Sequence, residues 1–519
     1  MRERRIRRSR SALSLSNGLR DLCELLFKIP GFVFHYRVNI SSQNGHIDKD
    51  LQLFVNMPCY ATALRQKTIA SHNLFCDHPG MTDQQQPHII SEEGLRQTLT
   101  VLTKQIGTRL AGTAGEKAAA DHLVEQFTAA GADVHVETFP VKSLNVRRQH
   151  LEILADGAWR PFRCSLFSNT PGTDDAILEA PLVFFESPAE YRRADLSHLR
   201  GKAVVHLGAH IESRQSYRRL IEAAPAFLLL VDVRFPGETP LADGMFPAYT
   251  RAIGAVPTIN VAFMDAWRWK QGGASSARLR VAGGMTDGLS QNVIAEFKGD
   301  ADDNGVIVLG AHHDTQADSP GADDNGTGAA GLVELARALS GRKHRRTVRL
   351  VSFGAEEQLS VGSAAYVRRH RTELTERGRL MFNLDSFGSL MGNTHVICNG
   401  PPELERTILP FFERAGYYAQ PTRKIIPYGD HFPFVVAGIP AAWLGRSNCA
   451  SGRFFHHRPD DDMSRLSLPL VAGLLRCVHE CITQFASAPE LPFACSIPAQ
   501  QREQVEQMWN DLFDGWTPG

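Results

Sequence analysis

The sequence predicts an α/β protein: a mixed, mostly parallel sheet sandwiched by helices, with a β-rich second domain inserted into it. Three observations lead there. Beyond residue 290, short apolar runs rich in β-branched residues alternate with stretches of helical periodicity, the pattern of a sheet covered on both faces. A similar but shorter α/β start lies at 90–150, and the intervening stretch reads differently, as recurrent short strands between Pro and Gly turns. Finally, the acidic and histidine residues of the second half collect where the apolar runs end, the place where open α/β sheets hold ligands.

In chain order, Ser91 to Gly107 reads as a helix with Ser91 as N-cap, Glu92 and Glu93 in its first turn, and Leu95, Leu99 and Leu102 on one face. A second amphipathic helix runs from about Glu116 to Ala130 and stops at Gly131, and Val134, Val136 and Phe139 alternate as a strand. From 151 to 288 the apolar runs Leu182–Phe185, Ala203–Val205, Phe227–Val231 and Val256–Val261 define the insertion. Strands are then expected at 305–311, 347–353, 380–385, 394–398 and 439–444, with helices near 327–340, 360–371, 403–415 and 467–485. The expected organisation is therefore 81–150 and 289–487 as two parts of one domain, 151–288 as the insertion, and 488–519 as a tail with an amphipathic piece at Glu503 to Phe513.

With 519 residues the chain exceeds the usual reach of a single core. Its 56 basic residues balance 56 acidic ones, so no overall field favours nucleic acid or a membrane surface. Nine cysteines without CxxC spacing read as free thiols in a reducing, cytoplasmic setting, Cys477 and Cys481 among them. The Arg-rich start is not followed by the apolar segment and small-residue cleavage site of a signal peptide, and Leu19 to Val38 is too interrupted to span a membrane. Residues 1–80 are expected to be a poorly ordered extension, with the native start near Met81; a basic targeting extension is the competing reading.

Four strand ends carry candidate chemistry. Val306–Leu309 opens into a loop with His312, His313, Asp314, Asp318, Asp323 and Asp324; Val348–Phe353 runs into Glu356 and Glu357; Met381–Leu384 ends at Asp385; and Phe454-Phe455 precedes His456, His457, Asp460 and Asp461. Histidine and carboxylates without cysteine suit a divalent ion such as zinc. Adjacent acids point different ways, so one of Glu356 and Glu357 can bind metal while the other faces a water. Taken singly, each cluster has a plainer reading as a solvated turn; all four at strand ends of one unit are harder to explain that way.

These strings resemble the co-catalytic zinc aminopeptidases of metallopeptidase family twenty-eight, a group that also holds glutamate carboxypeptidases and glutaminyl cyclases. The resemblance rests on Gly310-Ala-His-His-Asp-Thr315, Pro320-Gly-Ala-Asp-Asp-Asn-Gly-Thr-Gly328, Phe353-Gly-Ala-Glu-Glu357, Asn383-Leu-Asp385, Gly429-Asp-His-Phe-Pro-Phe434 and His457-Arg-Pro-Asp-Asp461, with Gly107-Thr-Arg-Leu-Ala-Gly112 upstream. It covers about 90–487 and implies the zinc-exopeptidase fold. Leu199 to Val205 is similar to the protease-associated domain that many members carry as an insertion.

The resemblance implies two zinc ions per chain, with cobalt or manganese as alternatives, bridged by Asp324. His312 and Asp385 would complete one ion's ligands, and Glu357 and His457 the other's. Asp314 would orient His312, and Glu356 would be the general base. It also implies a cis peptide after the bridging acid, at Asp324–Asn325. The residue before the last histidine is often Tyr in this family; here it is His456, which would substitute as oxyanion donor or leave that role to another group. Gln358 stands where an acid is common, and Asp430 and His431 match a motif whose role is turn-building or substrate contact. A glycan on Asn325 would block the site, so Asn325-Gly-Thr327 is read as a chance acceptor sequence. The implied function is hydrolysis of N-terminal peptide bonds, with a peptide as partner. Alternatives are a dipeptidase, a carboxypeptidase, a one-zinc glutaminyl cyclase, or a receptor-like member without catalysis.

Overall fold

The computed structural model describes residues 35–43, 46–54, 90–300 and 305–516. Two units are present. In the first, Met1–Gln84, strands His35–Gln43 and His46–Phe54 pair as an antiparallel hairpin within the stretch read as a poorly ordered extension. The remainder of that stretch and the expected start at Met81 lie outside the described residues.

In the second unit, Gln85–Gly519, four parallel strands lie side by side in the order Thr347–Phe353, Val306–His312, Gly378–Leu384 and Ala441–Ser447. Ser276–Phe297 closes one side antiparallel to Thr347–Phe353. Asn393–Asn399 closes the other antiparallel to Ala441–Ser447, with Ala419–Thr422 beyond it. All seven residues of Val306–His312 and of Thr347–Phe353 are buried, because helices cover both faces. Alternation sends Ile307, Leu309 and Ala311 into one core with Leu95, Leu123, Leu332 and Val471, and sends Val306 and Val308 into the other with Tyr366, Phe432 and Trp509. The expected strands and helices of this half are present, with ends displaced by at most three residues. Ser91 caps its helix by accepting from the Gly94 amide, as expected, but that helix ends at Thr100 and continues to Ile106 as a wider turn.

The insertion is joined differently from what its composition suggests. Asp133–Ala155 and Ser276–Phe297 form a continuous antiparallel ribbon from Asp133–Glu296 to Leu154–Ser276, so both expected boundaries, near 150 and 288, fall inside long strands. Leu178–Glu186 adds to the far end of this ribbon and starts a second parallel set with Ala203–Gly208, Phe227–Asp232 and Thr258–Val261. Helices Arg214–Glu222, Pro247–Ile253 and Phe263–Gln271 interleave with these strands, so the stretch is α/β rather than simply strand-rich. The fold is one sheet running through both parts.

The tail forms a helix, Ala499–Phe513, that ties the two parts together. Asp511 accepts from Arg214 and from the Tyr249 hydroxyl of the insertion, while Arg368 of the main body lies over the buried Trp509 ring and donates to the Phe513 carbonyl. Cys477 and Cys481 are buried core thiols on Leu468–Ser487. Among the described residues no helix is long and apolar enough to cross a membrane.

Candidate metal centre

The four acidic and histidine clusters converge at the carboxyl ends of the parallel strands. His312 is the last residue of its strand, and its Nε2 lies 3.2 Å from Asp324 Oδ1, 3.5 Å from Asp385 Oδ1 and 3.7 Å from Glu356 Oε2. His313, one residue on, points to the other face, where its Nδ1 meets Ser352 Oγ at 3.0 Å. Asp324 directs its second oxygen elsewhere: Oδ2 is 3.6 Å from His457 Nε2 and 2.9 Å from His456 Nδ1. His457 Nε2 is also 2.8 Å from Glu357 Oε2. Asp324 thus stands between two groups of donors, His312 with Asp385 and Glu357 with His457, as expected of a bridging carboxylate.

The backbone holds Asp324 there from three sides. Asp461 accepts from the amides of Asp323 and Asp324, each at 3.1 Å. Asn325 donates to the Leu384 carbonyl and accepts from Gly328, so its side chain is committed inside the protein, in keeping with the acceptor sequence being a coincidence. At Gly328 a Cβ would lie 2.4 Å from the Leu384 carbonyl oxygen, so only glycine lets the helix start this close to the Asp385 strand. The Asp324–Asn325 peptide is cis.

Asp314 does more than orient His312, whose Nδ1 lies 3.5 Å from its Oδ1 and 3.2 Å from its carbonyl. Its two carboxylate oxygens also accept the backbone amides of Glu356 and Glu357 at 3.0 and 3.2 Å. One buried acid therefore fixes a histidine and the turn that presents both glutamates. Glu116, from the second helix, supports the same turn by accepting from Ala355 N, Gly112 N and Ser290 Oγ.

Charge in this centre is concentrated and buried. Burial opposes ionisation of Asp324, yet contacts from His312 and His456 hold its carboxyl well below the usual range. Burial also works against a charged His312, but the carboxylates of Glu356 and Asp385 push it well above an ordinary imidazole. Burial, reinforced by neighbouring acids, raises Glu356, Glu357 and Asp385. A divalent cation answers such a cluster by supplying the missing positive charge. The donor set fits zinc: imidazole nitrogens and carboxylate oxygens, with His312 Nε2 and Glu357 Oε1 buried and without a hydrogen-bond partner. Two cation-sized groupings, His312–Asp324–Glu357 and Asp324–His456–His457, share Asp324 but divide the donors differently from the pairs above.

His457 rather than His456 faces both Glu357 and Asp324; among the described residues His456 reaches only Asp324. His456 is stacked against the His457 ring, with centroids 3.5 Å apart, and lines the cleft. Asp430 and His431 are fully buried and do not line the cleft. Burial raises Asp430 to about 8, with the charge of Asp385 adding to the effect, and lowers His431 to about 3, where the ring packs on Trp443. The two stand at the start of the helix His431–Val436, buried beneath the cleft rather than on its wall. Gln358 does line the cleft and donates to the Lys142 carbonyl.

The cleft above the acids measures about 360 Å³. Its walls include residues that no sequence pattern marked: Phe235, Met245 and Phe246 from the insertion, and Tyr428, Trp443 and Arg446 from the main body. Arg109 was also missed, although it lies inside a quoted string. It is buried and donates to the carbonyls of His313, Pro320 and Gly321, pinning the loop between His312 and Asp324. A lone Arg between Gly residues gives no sign of three carbonyl acceptors brought from about two hundred positions away.

Comparison with known proteins agrees with this geometry. Residues 292–482 match the model described as Peptidase family M28. Aminopeptidase YwaD of Bacillus subtilis (strain 168) is 26% identical over 388 residues, 71% of this chain and 79% of that protein. Leucine aminopeptidase 2 of Trichophyton rubrum is 34% identical over 164 residues, but this spans only 33% of the relative. Among solved structures, a zinc aminopeptidase from Bacillus subtilis superposes with TM-score 0.65 at 21% identity, covering 80% of this chain and 99% of that one. A Peptidase M28 precursor from Shewanella amazonensis SB2B does so with TM-score 0.68 at 21% identity over 79% and 96%. These likenesses establish the fold, and the match to the family M28 model spans the stretch that holds every candidate ligand.

Proposed function

We propose that this chain is a two-zinc metallo-aminopeptidase that removes N-terminal residues from peptides. The observation that supports it most is the position of Asp324 between two donor sets, with one oxygen toward His312 and the other toward His457. His312 and Asp385 would hold one ion, Glu357 and His457 the other, and Asp324 both. Zinc bound there supplies Lewis-acid chemistry, polarising the scissile carbonyl and raising the acidity of water.

The remaining work falls to this chain's own side chains. Glu356 borders the cleft, with Oε1 on Ser360 Oγ and Oε2 3.7 Å from His312. Burial raises its carboxyl, which suits a group that takes a proton from the attacking water and hands it to the departing amine. His456 borders the same space and would donate a hydrogen bond to the carbonyl oxygen as charge develops on it. The insertion, which we read as of the protease-associated type, supplies one wall of the cleft and limits which peptide ends enter. The buried thiols fit a reducing compartment, and fractionation of native cells would test that placement.

Replacing Glu356 by Gln should leave zinc bound and lower kcat by about 10²–10⁴-fold. Metal analysis and turnover on the same sample decide it: retained turnover would remove Glu356 from the mechanism. Hydrolysis of aminoacyl amides but not of their N-acetylated forms is expected of an aminopeptidase.

A further inference from the structure

The cleft wall holds two arginines in unlike situations. Arg234, on the insertion side, is neutralised: its guanidinium meets Asp232 at 2.7 Å and Glu212 at 3.0 Å. Arg446 sits at the carboxyl end of Ala441–Ser447, and its backbone amide donates to the carbonyl of Ser386, the residue after the candidate ligand Asp385. Its Nη1 donates to the Thr394 hydroxyl and its Nη2 to the Gly392 carbonyl, both neutral acceptors. Its Nε is buried without a hydrogen-bond partner. Among the described residues no carboxylate comes within ion-pair distance of Arg446.

A half-buried guanidinium without a carboxylate at ion-pair distance is costly unless a ligand brings one. The two neutral contacts hold the group in place while each Nη keeps a second N–H for a ligand in the cleft that Arg446 lines. The substrate's N-terminal ammonium is repelled by Arg446 and drawn to the acids of the metal centre. A negative group further along the peptide meets the opposite field.

We propose that Arg446 is a carboxylate anchor for the substrate, selecting peptides that carry a carboxylate close to the scissile bond. The inference rests on the aminopeptidase reading above. The carboxylate has two possible sources, the free C-terminus of a very short peptide or an acidic side chain, and Arg446 meets both with the same hydrogen bonds.

Three peptides separate the sources: Leu-Leu as the free acid, Leu-Leu-amide, and Leu-Glu-amide, each offered to the zinc-loaded full chain. At least one acid should exceed Leu-Leu-amide in kcat/KM by about tenfold, the scale of one charge-assisted hydrogen bond. Preference for free Leu-Leu identifies the C-terminus, and preference for Leu-Glu-amide identifies the side chain. Arg446→Gln should bring the ratio near one, while Arg446→Lys should retain part of it; zinc content and melting temperature verify that both variants fold. Equal rates for all three peptides, or an undiminished ratio in Arg446→Gln, would overturn the anchor. Calorimetric binding of the same peptides to zinc-loaded Glu356→Gln reads the preference without turnover. Absence of hydrolysis would therefore count against the peptidase reading, whereas equal affinities would count against Arg446.

Discussion

The ring of Phe235 stacks on the ring of His456, with centroids 4.9 Å apart and planes inclined by 24°. Phe235 belongs to the insertion and His456 to the turn that carries the candidate ligand His457. The contact is one of several: Arg458 donates to the Phe235 carbonyl, Arg453 to the Arg234 carbonyl, and the Ala242 amide to the His457 carbonyl. His457 has a positive φ of 54°, a conformation few non-glycine residues adopt without support. The insertion thus braces the metal centre as well as walling the cleft.

Phe235→Ala should for this reason weaken zinc binding, although Phe235 coordinates nothing. A lost aromatic pair is worth about 0.5–1.5 kcal/mol. The expected result is up to about a tenfold faster loss of zinc to a chelator, with an unchanged far-ultraviolet spectrum. An unaltered chelation rate would show that the ligand turn holds itself.

Asp314→Ala should do more damage than its distance from substrate suggests. It removes the carboxylate beside His312 Nδ1, leaving only the Asp314 carbonyl there, and takes the acceptors from the amides of Glu356 and Glu357. Loss of such supporting groups lowers metal affinity by about 10–100-fold. Competition with a zinc-binding dye would measure it. Asp314→Asn keeps one acceptor oxygen and should fall between the variant and the native chain.

The cluster of His370 with Glu137 and Glu373 has a pH signature. His370 Nε2 lies 2.7 Å from Glu137 and Nδ1 3.3 Å from Glu373, and although burial pulls the imidazole down, the two carboxylates raise it to about 9. A group raised on folding stabilises fully below its unfolded value, about 6.5, and loses that contribution as pH rises through its folded one. The melting temperature of the native chain should therefore exceed that of His370→Gln at pH 6, and the gap should close between pH 6.5 and pH 9. Solvent screening limits the effect to the order of 1 kcal/mol. A gap independent of pH would show that packing, not charge, holds His370.

Much of the catalytic half was readable before any coordinates. Val306–His312 and Thr347–Phe353 are continuous apolar runs because both faces are covered, and such runs are visible in a linear string. Ligand types stood out for a related reason: His312, Glu357 and Asp385 each follow an apolar strand, where a polar residue has few ordinary explanations. The insertion was less legible. Its strands are short, its boundaries lie within the Asp133–Ala155 and Ser276–Phe297 ribbon, and nothing local marks where a long strand passes from one part to the next. Asp430 and His431 show what a motif leaves open: the string matched, but only the structure shows that both residues are buried and absent from the cleft wall.

What the sequence determined by itself was the chemistry on offer: an α/β frame, strand ends bearing imidazoles and carboxylates, and no cysteine among them. Those features depend on residue type and on spacing within a dozen positions, which a linear string preserves. Tertiary structure alone decided that His457 faces Glu357 while His456 stacks on Phe235, that Arg109 and Asp314 hold the loops, and that Arg446 stands in the cleft without an ion-paired carboxylate. Each of these depends on distances between residues tens or hundreds of positions apart, and such distances are set by how the sheet brings its strand ends together.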